Sequence, residues 1–272
     1  MCSSDLHYLD SGASAQMPRA VLDAVVEFET RHRANVRRGV HRLAEEASEA
    51  FDAARSSVAR YLNVPPREVV FTSGATGAIN LVARSFGETL GAGDEIVISL
   101  AEHHSNFVPW QMLRDRRGIV LKAVPLTVDG RLDLAALPSL ITPRCRLIAV
   151  THASNVTGAV TDVPAIVAAA QKVGAKVLLD GAQRAPHGPV DLPALGVDFY
   201  ACSGHKMFGP TGIGVLWGRY EALEALPPFL GGGEMVRTVT LDRTTYAAPP
   251  HRFEAGTPPI AQAVGLGAAA RW

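Results

Sequence analysis

Short apolar runs and helix-spaced apolar positions alternate along most of this chain. Pro18 to Arg33 opens with a proline and repeats apolar residues at Val21, Val25 and Phe28, which predicts a helix. Arg42 to Leu62 predicts a second, longer helix with Leu43, Ala47, Phe51 and Val58 on its apolar side, ending before Asn63 and Pro65-Pro66. Strand-like runs then follow at Val69–Thr72, Glu95–Ser99, Ile119–Val124, Leu147–Thr151, Val177–Asp180, Phe199–Cys202 and Ile213–Trp217. Helical stretches fall between several of them: after Ser73-Gly74 to about Leu90, near Phe107–Arg116, and Val163–Val173. The runs are continuous and β-branched rather than alternating with polar residues. Strands of that kind are buried on both faces. The pattern therefore predicts an α/β fold: a mostly parallel, open, doubly wound sheet with helices on both faces. Pro227 to Pro259 is rich in Gly and Pro and reads as ordered loops, anchored by Phe229, Met235, Tyr246 and Phe253. An Ala/Gly-rich helical pattern from Ala261 to Trp272 closes the chain without a visible cap, which reads as a truncation.

Composition narrows the class. The 272 residues are 47% apolar and 19% charged, too apolar for a disordered chain. Lys plus Arg and Asp plus Glu are both 26, so no whole-protein basic field for nucleic acid exists. No apolar run is long enough for a membrane span, and the N-terminus lacks a basic start and apolar core, so a cytoplasmic protein is expected. Cys2, Cys145 and Cys202 are widely spaced, with no CxxC pair. That argues against a disulfide framework and against a thiolate metal site.

Four polar clusters directly follow predicted strands, where open α/β sheets gather their ligands. Ser203-Gly204-His205-Lys206 offers a lysine that burial would make nucleophilic; a solvated loop lysine is its ordinary reading. Asp180-Gly181-Ala182-Gln183 places a carboxylate at the end of an apolar strand, where it needs a cationic partner unless it only caps the next helix. Ser73-Gly74-Ala75-Thr76-Gly77 is a strand-to-helix turn able to cradle a phosphate, though an ordinary glycine turn fits as well. It matches neither the Walker loop nor GxGxxG. Ala101-Glu102-His103-His104 offers an imidazole to stack on a flat ring or move a proton; adjacent histidines rarely chelate one metal ion, and no metal is expected. Together the clusters ask for one ligand with a phosphate, an aldehyde and a ring nitrogen. Pyridoxal 5′-phosphate has all three.

These stretches resemble the SUF-type (group II) cysteine desulfurases of the class V aminotransferase superfamily. The resemblance begins at Tyr8-Leu9-Asp10-Ser11 and continues through Arg38-Gly39-Val40-His41, Glu102-His103-His104-Ser105-Asn106 and His152-Ala153-Ser154-Asn155-Val156. It runs on through the Asp180 and Lys206 clusters, Gly231-Gly232-Gly233-Glu234-Met235 and Phe253-Glu254-Ala255-Gly256-Thr257-Pro258. It implies a fold-type I large domain over 18–272 after an N-terminal segment, 1–17, with the small C-terminal domain absent. It also implies roles. Lys206 would bond the cofactor's aldehyde and act as general base. Asp180 would hold the ring nitrogen, Gln183 the phenolic oxygen, and His103 would stack on the ring. Ala75, Thr76, Ser203 and His205 would hold the phosphate, Thr257 would reach the phosphate of a second subunit in a homodimer, and Asn155 would lie near the substrate carboxylate. The implied reaction converts L-cysteine to L-alanine and passes sulfur through an enzyme persulfide to an acceptor protein for iron–sulfur assembly. Selenocysteine lyase activity often accompanies it.

The chain departs from that family at three points. Arg37 stands where a histidine is frequent, and Ala75 where a threonine is common. The stretch expected to carry the persulfide-forming cysteine and a carboxylate-binding arginine is not in these residues. Cys202 reads as a buried apolar residue, and Cys145 as lying before a strand. Alternative readings are an epimerase-like or kynureninase-like relative, or a cofactor-binding chain without turnover.

Overall fold

The inner strands of the sheet bury alternate residues against opposite layers, and this is why their apolar runs are continuous. The computed structural model describes residues 7–37 and 39–272. In chain order the elements are α1 (Arg19–Glu27), α2 (Arg42–Tyr61), β1 (Val69–Thr72), α3 (Ala75–Ser85), β2 (Glu95–Ser99), α4 (Val108–Arg117), β3 (Val120–Val124), α5 (Leu137–Leu140) and β4 (Cys145–Thr151). They continue with α6 (Val163–Gln171), β5 (Lys176–Asp180), α7 (Leu192–Leu195), β6 (Phe199–Ser203), β7 (Gly214–Gly218), α8 (Tyr220–Glu224), β8 (Val236–Val239), β9 (Thr244–Tyr246) and α9 (Ile260–Arg271).

Seven strands form one sheet in the order β1-β7-β6-β5-β4-β2-β3. All of its pairings are parallel except the two made by β7, which runs antiparallel between β1 and β6. On one face Val69, Phe71, Val97, Ile148, Val150, Val177, Leu179, Tyr200 and Val215 pack with Phe51 and Val58 of α2, Ile166 of α6 and Leu266 of α9. On the other, Val70, Ile96, Ile98, Leu147, Leu178, Phe199 and Leu216 pack with Ile79 and Val82 of α3, Trp110 of α4 and Leu223 of α8. The sheet is doubly wound, as the pattern predicted.

Local differences have local causes. The first helix changes at Phe28 into a wider π-helical turn over Phe28–His32. On α2 it is Ala44, not Leu43, that faces the core, and Leu43 stays 37% exposed. Cys145 does not precede a strand; it opens β4 and is fully buried. The Gly/Pro-rich stretch holds the β8–β9 hairpin, short and mostly exposed, which a search for apolar runs passes over. Cys2 and Arg38 lie outside the described residues. Among the described residues no helix is long and apolar enough to cross a membrane, and no group of three or more His, Cys, Asp or Glu could hold a metal ion.

Candidate active site

Parallel strands end on one edge of the sheet, so the residues that follow them are brought together. Thr151, Asp180 and Ser203 are the last residues of β4, β5 and β6, and Ala75 opens α3 three residues after Thr72 ends β1. A cavity of about 540 Å³ lies at this edge. Ala75, Thr76, His103, Asn155, Asp180, Gln183, Ser203, His205 and Lys206 all line it. Thr257 does not. It lines a separate cavity beside Phe71, Gly77, Phe229 and Phe253.

Two glycines make the edge possible. Gly74 has φ 142°, a region that strains other residues, and it turns the chain from β1 into α3. A Cβ on Gly181 would sit 2.0 Å from the Tyr200 ring, so only glycine lets the chain leave Asp180 past that buried tyrosine. The Ala75 N–H donates to Ser203 Oγ at 2.8 Å and joins the α3 N-terminus to the end of β6. That N-terminus, with Thr76 beside it, favours an anion.

The Asp180 carboxylate is 4% exposed and accepts the Ala182 N–H at 3.0 Å. Burial pushes its pKa up, opposed by that hydrogen bond and by the charges of Lys206 and His103. Such a carboxylate gains most from a cationic donor brought into contact with it. Burial and the Lys206 charge both lower the His205 pKa. The His103 Nδ1 accepts the Ser105 N–H at 3.1 Å and lies 2.8 Å from Ser105 Oγ. With Nδ1 accepting that N–H, the tautomer that fits carries its hydrogen on Nε2. His152, buried against Tyr200 at 3.2 Å, is pushed down to about 4 by burial and by the Arg184 charge.

Some of the wall was not nominated from sequence. Asp10, Gly12 and Ala13 line the cavity, and so do Ser105, Thr151, Ala153 and Ala182. The N-terminal residues are held by long-range bonds: Gln183 Nε2 donates to Gly12 O at 2.9 Å, and Ala15 N–H donates to His205 O at 2.8 Å. The only sequence signal for them is the Tyr8-Leu9-Asp10-Ser11 stretch, which carries no role by itself. Glu102 likewise has no role that its sequence neighbours reveal. Its carboxylate takes the Ser99 hydroxyl, Asn106 Nδ2 at 2.6 Å and the Thr151 N–H at 2.9 Å. Arg37 is occupied away from the cavity, with Nη2 on Asp52 at 2.9 Å and Nη1 2.7 Å from His251 Nδ1. Both described cysteines are poor thiolates: burial pushes Cys145 up to about 11 and Cys202 up to about 12.

Comparison with known proteins agrees with this architecture. The Aminotransferase class-V family model matches residues 7–272. A probable cysteine desulfurase of Streptomyces coelicolor is 54% identical over 270 residues, covering 97% of this chain and 65% of its own length. The chain thus spans about two thirds of the curated relatives it matches. The crystal structure of the Escherichia coli cysteine desulfurase CsdA superposes with a TM-score of 0.91 at 45% identity, over 97% of this chain and 67% of that one. A C-DES variant with glycine covalently linked to its PLP cofactor superposes with a TM-score of 0.87 at 26% identity, over 98% of this chain and 71% of that one.

Proposed function

The chain belongs to the class-V aminotransferase family, whose members depend on pyridoxal phosphate, and on that premise we propose that its cavity is the cofactor and substrate site of a SUF-type cysteine desulfurase. One observation carries the reading: a lysine, a buried carboxylate and a helix N-terminus, delivered by three different strands, line one cavity. The donor set fits the group. The α3 N-terminus with Ala75, Thr76, Ser203 and His205 suits a phosphate, Asp180 a protonated ring nitrogen, and His103 a ring face. Asn155 suits the substrate carboxylate, and Gln183, one N–H already on Gly12 O, has a second amide hydrogen for the phenolic oxygen.

When bound, the cofactor supplies an aldehyde and a ring that accepts electrons. Lys206 Nζ would hold that aldehyde, and it is the base placed to take the proton from the substrate Cα. Asp180 would be held ionised by the ring cation and would in turn keep the ring nitrogen protonated. In the proposed reaction the cysteine Cβ–S bond breaks, Cβ gains a proton, and the sulfur joins an acceptor thiolate as a persulfide. Cys145 and Cys202 cannot be that acceptor, since both are buried and held as thiols. The finer SUF-type reading is supported by Gly231-Gly232-Gly233-Glu234-Met235 and by Phe253 to Pro258. With it come a second copy of the chain, which would receive Thr257, a sulfur-acceptor protein, activity toward selenocysteine, and a cytoplasmic setting.

Borohydride reduction of the chain with pyridoxal phosphate, followed by peptide mapping, is expected to label Lys206. Label on another lysine, or none on folded protein, overturns the assignment. Asp180→Ala is expected to abolish turnover of L-cysteine to alanine, measured with an added thiol acceptor, while weakening cofactor binding far less.

A further inference from the structure

Strands β2 and β4 are neighbours, paired in parallel from Glu95 and Cys145 onward. Beyond them the chain must cross from Ser99 to α4 with His103 at the cavity, and nothing in the β-ladder fixes that crossing. The Glu102 carboxylate does. One oxygen takes the Ser99 hydroxyl, at the end of β2, and the Thr151 N–H, at the end of β4. The other takes the side-chain amide of Asn106, which is fully buried. Asn106 in turn accepts the indole N–H of Trp110, also fully buried, at 3.0 Å. Three segments are therefore joined at one side chain, immediately before the ring of His103. Thr151 lines the cavity as well.

We infer that Glu102 is a positioning residue, which bolts the 99–106 crossing to the end of β4 and so fixes the His103 ring over the cavity. The inference rests on the cofactor reading above for what that ring faces. Its donors are specific. In Glu102→Gln the new amide faces either the Asn106 amide or the Thr151 N–H, donor against donor, whereas a carboxyl that carries a proton can turn its single hydrogen to the Ser99 oxygen. Asn106 cannot turn over to relieve this, because its carbonyl already holds Trp110. Glutamine therefore keeps part of the clamp and alanine keeps none.

The test titrates pyridoxal phosphate into the chain and its variants, reading affinity and the visible circular dichroism of the bound group. Glu102→Ala is expected to weaken binding about tenfold and shrink the dichroic band, with Glu102→Gln in between. In a His103→Ala background the same Glu102→Ala change is expected to cost less than about twofold, because the residue acts through the ring. An undiminished loss in that background, or unchanged affinity in both variants, overturns the inference. A second readout needs no cofactor: the ring-proton resonances of His103 are expected to shift in both Glu102 variants, and unshifted resonances overturn it too. If the parent chain takes no pyridoxal phosphate on Lys206, the functional reading fails by itself, and the histidine resonances still decide the role of Glu102.

Discussion

Two glutamates on this molecule are both enclosed by protein, and they titrate in opposite directions. Glu254, with its side chain 8% exposed, meets the forked guanidinium of Arg55 at 2.7 and 2.8 Å and takes the Phe71 N–H at 2.8 Å. It is held down to about 2, since these contacts outweigh its burial. Glu102 accepts three hydrogen bonds, and among the described residues no arginine or lysine bonds it. Burial dominates, with Asp180 adding a like charge, and its carboxyl is pushed up to about 8. At Glu102 the three hydrogen bonds do not outweigh burial, whereas at Glu254 an arginine in contact does. The Arg55 cluster fastens the chain around residue 254 to β1, while the Glu102 cluster joins His103 and Thr151, which line the cavity.

The sharpest way to break this contrast is to remove the acid from the ion pair. Glu254→Ala leaves Arg55 buried and uncompensated, with its Nε already lacking a partner among the described residues. A loss of about 3–5 kcal/mol in denaturant unfolding is expected. A loss below about 1 kcal/mol would show that the pair contributes as little as an exposed one.

A smaller effect separates the two by pH. The folded pKa of Glu254 lies below its ordinary 4.5, so its contribution is present above 4.5 and lost as pH falls toward 2. Glu102 lies above 4.5, so its contribution is full below 4.5 and lost as pH rises through 8. Stability measured from pH 4.5 to 8 is therefore expected to decline less steeply in Glu102→Gln than in the parent. An unchanged slope would mean that Glu102 is ionised throughout.

The smallest change concerns the relay behind Glu102. Asn106→Ala removes one donor to Glu102 and orphans the Trp110 N–H, with an expected loss of about 1–3 kcal/mol. The Glu102 carboxyl, left with two donors, should move still higher, which carbon-13 titration of the side chain can follow.

Sequence periodicity reached the sheet because its inner strands bury two faces, so apolar residues are consecutive and hard to miss. It reached Lys206, Asp180, Ala75 and Thr76 for the same reason: strand ends are where such runs stop. It did not reach Asp10, Gly12 and Ala13, which enter the cavity only through bonds to Gln183 and His205, far along the chain. Nor did it assign Glu102, whose meaning lies in Thr151 and Asn106 rather than in its neighbours in sequence. Cys145 was placed one element too early because Arg146, a single exposed residue, interrupts the apolar run after it.

Strand β7 has a consequence for how the protein is made. Among the described residues it is the only sheet neighbour of β1, and it lies between β1 and β6. As the chain leaves a ribosome, β1 is complete at Thr72, but the strand that pairs with it does not begin until Gly214. At ordinary elongation rates that wait is on the order of 10 s. Throughout it Val69, Val70 and Phe71 have no ladder to join, and an unpaired apolar strand edge is what chaperones cover and aggregates recruit. The turn that leads from β1 to Ala75 is thus among the earliest parts synthesised and among the last to find its place.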